Sequence, residues 1–151
     1  MYLLDTNTCF RLVASERRAV EALRRLGKER VVTAAVVAGE LLYGASISER
    51  KAENLHALSG FLAAIEILRV GRTTAAAYAN LKSRLLERFG PRAKLARRQF
   101  DLKRLGFHDN DLWIAASALE SDATIVSDDR AFVRMREADA RLEVVSWDQE
   151  S

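Results

Sequence analysis

Five short runs of apolar and β-branched residues constrain this chain more than any other feature: Tyr2–Leu4, Arg30–Val32, Ile65–Val70, Thr124–Val126 and Glu143–Val145. Each is too short for a stable helix and rich in side chains that suit a pleated strand. Between them lie segments of helical period. Residues 7–27 read as one or two helices interrupted near Ser15, residues 34–46 as a helix capped by Thr33, and residues 48–64 as a helix capped by Ser48. A long amphipathic helix runs from Thr73/Thr74 to Phe89, with Ala77, Leu81, Leu85 and Phe89 four apart, and two more helices cover 110–121 and 129–138. Strands that alternate with helices pair in parallel, and the connecting helices then cover both sheet faces. The pattern predicts a three-layer α/β/α sandwich with a central, mainly parallel sheet of about five strands. No repeat, low-complexity tract or Pro/Gly/Ser-rich linker interrupts it, so one domain over residues 1–151 is expected.

Such a chain is long enough to bury about two-thirds of its unfolded surface without a covalent staple. The lone Cys9 permits no intrachain disulfide, and the N-terminus lacks a basic-then-apolar leader, which together predict a cytoplasmic protein. No apolar run approaches the ~20 residues a bilayer demands, so a membrane partner is not expected. The net charge of +3 conceals an asymmetry. Residues 82–104 hold nine basic side chains, among them Arg92, Lys94, Arg97 and Arg98, against the two acids Glu87 and Asp101. The rest of the chain is therefore net acidic. A basic block suits a polyanion, because lysines and arginines near phosphates release condensed counterions, although a solvated helix face reads the same way.

Open parallel sheets bind ligands beyond the carboxyl ends of their strands. Asp5, in "LLDTN", stands at such an end, where Asp5, Thr6 or Asn7 could equally cap the next helix. Glu40, in "TAAVVAGELLYG", shares a helix face with Val36 and Gly44 along the buried edge, where a carboxylate is costly unless paired or bound to a cation. Asp111, in "NDLWIAASALESD", shares the inward face of Ile114, Ala115 and Ala118, and could alternatively serve a cap or the helix dipole with Asp109 and Asn110. In "TIVSDDRAF" a fourth strand ends on Ser127, Asp128 and Asp129, one acid more than a cap needs. Four carboxylates brought to one sheet edge raise one another's pKa unless a divalent cation holds them together. Oxygen ligands alone select a hard ion, Mg²⁺ or Mn²⁺, which can activate water against a phosphodiester.

As a set in this order, "LLDTN", "GELLYGA", "NDLWIAASAL" and "IVSDDRAF" resemble the PIN-domain ribonucleases, and among them the toxins of VapBC toxin–antitoxin pairs. The resemblance spans nearly the whole chain. It implies a Rossmann-like PIN fold, Mg²⁺- or Mn²⁺-dependent endoribonuclease activity on RNA, a homodimer, and inhibition by a cognate VapB-type antitoxin. Position by position it implies Asp5, Glu40, Asp111 and Asp129 as catalytic metal ligands. Asn7 and Ser127 match polar positions that support the metal, and Asp128 is left as a cap. The cap role at the chain's start then passes from Asp5 to Thr6 or Asn7. The basic stretch from Gly90 to Leu105 exceeds the usual connection, marking a substrate contact or an antitoxin interface.

Two rival readings follow from the residues. A phosphatase or phosphotransferase with Asp5 as nucleophile usually has a second acid two residues on, where this chain has Asn7. In a non-catalytic RNA-binding module the acids would serve only as caps. Trp113, Trp147, Tyr43 and Phe61 read as core or dimer-interface aromatics, Cys9 as a small buried side chain, and His108 as a loop residue bonding locally.

Overall fold

The computed structural model of this protein describes residues 1–147. The five strands are β1 (Tyr2–Leu4), β2 (Val31–Ala34), β3 (Glu66–Leu68), β4 (Thr124–Val126) and β5 (Glu143–Val145), in the order β3-β2-β1-β4-β5. All four pairings are parallel, with Leu4 in register with Thr33 on one side and Val126 on the other. Helices α1 (Thr6–Val13) and α2 (Arg17–Arg25) carry the chain to β2, and α3 (Ala35–Ser46) and α4 (Lys51–Ala64) carry it to β3. The long return uses α5 (Arg72–Phe89), the short α6 (Lys94–Arg98), a 3-10 turn at Leu102–Leu105 and α7 (Asp109–Ser121), and α8 (Arg130–Arg136) joins β4 to β5. The chain leaves β1 toward β2 and β3, then comes back to lay β4 on β1's other side. At such a switch point, here beyond the carboxyl ends of β1 and β4, open parallel sheets bind their ligands.

The central strand carries the core. Leu3 and Leu4 of β1, Val32 of β2 and Ile125 of β4 are wholly buried, packed with Leu81 and Leu85 of α5, Leu112 of α7 and Phe132 and Met135 of α8. Each such side chain contributes roughly 1.5–3 kcal/mol through its removal from water. The α5 pattern of Ala77, Leu81, Leu85 and Phe89 faces this core and α7, as its period predicts. Among the described residues no helix is long and apolar enough to cross a membrane.

Ser15 takes a left-handed conformation (φ 55°), which halts α1 and splits segment 7–27 in two, at the interruption expected there. Elsewhere the element boundaries depart from the sequence reading. Thr33 stays in β2, where its hydroxyl donates to the Leu4 carbonyl at 3.0 Å, and α3 starts after Ala34 without a side-chain cap. Ser48 is no cap either: its hydroxyl donates to the Ala45 carbonyl at 2.8 Å, finishing α3, and α4 begins only at Lys51. In α5, which begins at Arg72, the Thr74 hydroxyl accepts the Gly71 N–H at 2.9 Å. The Thr33 and Ser48 hydroxyls found closer backbone partners than the helix starts assigned to them, whereas Thr74 does serve the start of α5, accepting from its N-cap residue Gly71.

Candidate active site: an acidic crevice beyond β1 and β4

Asp5 follows the last residue of β1 and is itself the N-cap of α1, a role the sequence reading passed to Thr6 or Asn7. Its Oδ1 accepts the Thr8 N–H at 2.7 Å, and its Oδ2 accepts the Ser127 hydroxyl. The carboxyl is only 3% exposed. Burial pushes its pKa up, against the bonds from Ser127 and Thr8 that favour the charged form. Across the switch point, Ser127 directly follows β4 and bridges two acids: while donating to Asp5, its Oγ accepts the Asp129 N–H at 3.0 Å. Asp129 then caps α8, its Oδ1 accepting the Ala131 N–H at 2.8 Å. The cap assigned to Asp128 thus belongs to Asp129. Asp128 pairs with Arg11 at 2.9 Å and accepts the Ser146 hydroxyl, and its charge adds to the rise of the Asp5 carboxyl.

Glu40 is half-buried at the edge of the apolar stripe of α3, where Val37, Ala38, Leu41 and Ala45 face inward. Its Oε2 accepts the Thr6 hydroxyl and its Oε1 accepts the Asn110 side-chain amide at 2.6 Å. Beyond it opens a cavity of about 560 Å³ lined by Thr6, Asn7, Phe10, Glu40, Gly44 and Leu58 among others. Asn7 is exposed on this wall, and no hydrogen bond among the described residues joins it to the four acids.

Asp111 lies in the first turn of α7, half-buried, and accepts no hydrogen bond from the described residues. Burial first, then the negative charges of Asp129, Glu40 and Asp5, push its pKa up to about 6, partly offset by His108. The charges of Asp129, Glu40 and Asp5 thus all reach Asp111, while only Glu40 of the four lines the cavity. Their neighbour Asp109 does not join them. It pairs with Lys82 at 2.9 Å and accepts the Tyr78 hydroxyl at 2.7 Å, which holds its carboxyl below the usual range. Tyr78 in turn stacks on Trp113, ring centres 4.1 Å apart.

Among the described residues no three His, Cys, Asp or Glu side chains are gathered tightly enough to hold a metal ion by themselves. Hydrogen bonds and caps keep Asp5, Glu40 and Asp129 on their separate elements. The donor chemistry nevertheless fits Mg²⁺, which is bound through one or two carboxylates plus water and substrate phosphate rather than by an all-protein cage. No soft ligand competes, since Cys9 is buried beneath β1 and burial pushes its thiol up to about 12.

The basic block is divided by the fold. Lys82, Arg84 and Arg88 pair with Asp109, Asp139 and Glu137. Arg97 is turned back on its own loop, donating to the carbonyls of Pro91 at 2.7 Å and Arg92 at 3.3 Å. Arg92, Lys94 and Arg98 stand exposed around α6, a helix with no buried residue. Sequence reasoning missed Thr6 and Asn110 as partners of Glu40. Their position directly beside Asp5 and Asp111 was the available signal.

Comparison with known proteins places the fold. A family model described as PIN domain matches residues 2–138. The chain is similar to Ribonuclease VapC2 of Rickettsia felis, 28% identical over 152 residues and covering 99% of each chain. Its fold matches the crystal structure of VapBC2 from Rickettsia felis bound to a promoter DNA fragment, with TM-score 0.77, 26% identity and 97% and 98% of the two chains covered. It also matches DNA-bound VapBC from Salmonella typhimurium, with TM-score 0.74, 21% identity and 97% of each chain covered.

Proposed function

Because this chain belongs to the PIN domain family, we propose that it is a Mg²⁺- or Mn²⁺-dependent endoribonuclease, the toxin of a VapBC-type pair held inactive by a cognate VapB-type antitoxin. The observation that carries this reading is the convergence of acids from β1, α3, α7 and α8 at one end of the sheet, where Ser127 joins Asp5 to the Asp129 N–H and Asn110, next to Asp111, bonds Glu40. Acids so placed repel one another, and the arrangement destabilises the fold unless a cation is meant to sit among them. Similarity to a protein named Ribonuclease VapC2 supports the RNA substrate, and the matched VapBC complexes support the antitoxin partner.

Asp5, Glu40, Asp111 and Asp129 would hold the ion. When bound, it supplies an activated water and neutralises charge on the phosphate under attack. The chain's own residues supply the positioning. Ser127 holds Asp5 and the start of α8 together, so the ends of β1 and β4 present their acids in a fixed relation. Thr6 and Asn110 fix Glu40 from two other elements. Asp128 is neutralised by Arg11 at the rim and stays out of the ligand set. The exposed Arg92, Lys94 and Arg98 are assigned to the RNA backbone, where phosphate contacts position the strand without reading its sequence, and Arg97 braces the loop that carries them. Assembly is as a homodimer of single-domain chains in the cytoplasm. A nucleophilic role for Asp5 is disfavoured because the second acid such enzymes use two residues on is Asn7 here.

The test is cleavage of end-labelled RNA by purified protein with Mg²⁺, with Mn²⁺ and with EDTA, beside Asp5→Asn and Glu40→Gln. Cleavage that needs the metal and disappears in both variants is expected. Full activity in EDTA, or in a correctly folded Asp5→Asn protein, overturns the proposal.

A further inference from the structure

Glu40 differs from its three companions in how it is held. Asp5 and Asp129 are fixed by backbone N–H groups of the helices they cap, and Asp111 sits in the first turn of α7 on a short side chain. Glu40 projects from the middle of α3 on a longer side chain with no backbone donor of its own. Left free, it would spread over several rotamers toward the 560 Å³ cavity that it lines. Two side chains prevent this, the Thr6 hydroxyl at Oε2 and the Asn110 amide at Oε1, 2.6 Å away. Asn110 directly precedes Asp111 on α7, so its bond ties the carboxylate of α3 to the helix that presents Asp111.

We infer that Asn110 is a positioning residue, clamping Glu40 to α7 so that Glu40 and Asp111 act on one cation. The inference rests on the metal-dependent reading above. A neutral amide suits this role because it donates to Glu40 and leaves the carboxylate's remaining lone pairs for the ion. An arginine or lysine would compensate the charge that attracts the cation, and an aspartate would repel Glu40. Groups that orient a metal ligand typically change metal affinity or activity 10–100-fold when removed.

The experiment has two readouts. First, Mn²⁺ binding is measured by calorimetry on wild type, Asn110→Ala, Glu40→Ala and the double variant, with thermal unfolding as a folding control. Asn110→Ala is expected to weaken binding about tenfold at nearly unchanged unfolding temperature. In the Glu40→Ala background the same change should have almost no effect. Second, with no metal added, the NMR signal of the Asn110 side-chain amide is expected to move to the free-amide position in Glu40→Ala. Equal Mn²⁺ affinity in wild type and Asn110→Ala, or an amide signal unmoved by loss of Glu40, overturns the clamp and leaves the ribonuclease reading standing. Failure of wild type to bind Mn²⁺ overturns both.

Discussion

Replacing Asp111 by Asn should abolish cleavage and at the same time make the metal-free protein more stable at neutral pH. In the fold the carboxyl is raised from its ordinary 3.8 to about 6 by burial and by Asp129, Glu40 and Asp5. A group whose native pKa is raised contributes its full stability below the unfolded pKa and loses it as pH climbs through the native one. At pH 7.5, metal-free wild type therefore bears a penalty that Asp111→Asn does not. At 1.36 kcal/mol per pH unit the penalty reaches roughly 3 kcal/mol, and solvent screening of this half-exposed group reduces it to about 1–2 kcal/mol. For a chain of this size that corresponds to about 2–8 °C in unfolding temperature. The assay is thermal unfolding in EDTA at pH 7.5 and pH 4: the variant should be the more stable at pH 7.5, and the gap should close at pH 4. Saturating Mn²⁺ should then stabilise wild type more than the variant, because only a ligand that binds the native state adds stability. A variant no more stable than wild type at pH 7.5 in EDTA, or a gap unchanged at pH 4, would refute the reasoning.

Three other perturbations probe the rest of the site. Ser127→Ala removes the hydroxyl shared by Asp5 and the Asp129 N–H and should cost about 1–3 kcal/mol in denaturant unfolding, with reduced RNA cleavage. Asp128→Asn should retain cleavage while Asp129→Asn loses it; equal loss in the same gel assay would place Asp128 among the ligands. Charge reversal at Arg92, Lys94 and Arg98 should weaken RNA binding and flatten its salt dependence, measured by titration at several ionic strengths, without lowering the unfolding temperature.

Much of this protein follows from local pattern. Short β-branched runs alternating with helical periods leave a parallel sheet as the one arrangement that buries every apolar stripe, and three strands, β1, β4 and β5, lie where the runs lie. Strand-end Asp5 and the pair Asp128–Asp129 were legible because parallel sheets present their carboxyl ends to ligands, and Glu40 and Asp111 because each interrupts or borders an apolar stripe. The tertiary structure decided what distance along the chain conceals. Whether a hydroxyl caps a helix or turns to a nearer carbonyl depends on its neighbours in space, so Thr33 and Ser48 became strand and turn residues. That Asp128 pairs with Arg11, 117 residues away, is likewise invisible along the chain. The basic block could be counted but not partitioned, since Lys82, Arg84 and Arg88 meet their acids only once the fold brings α5 beside α7 and the segment that follows α8. Charge and period are local properties of a chain, whereas the partner that satisfies a buried polar group is chosen by the fold.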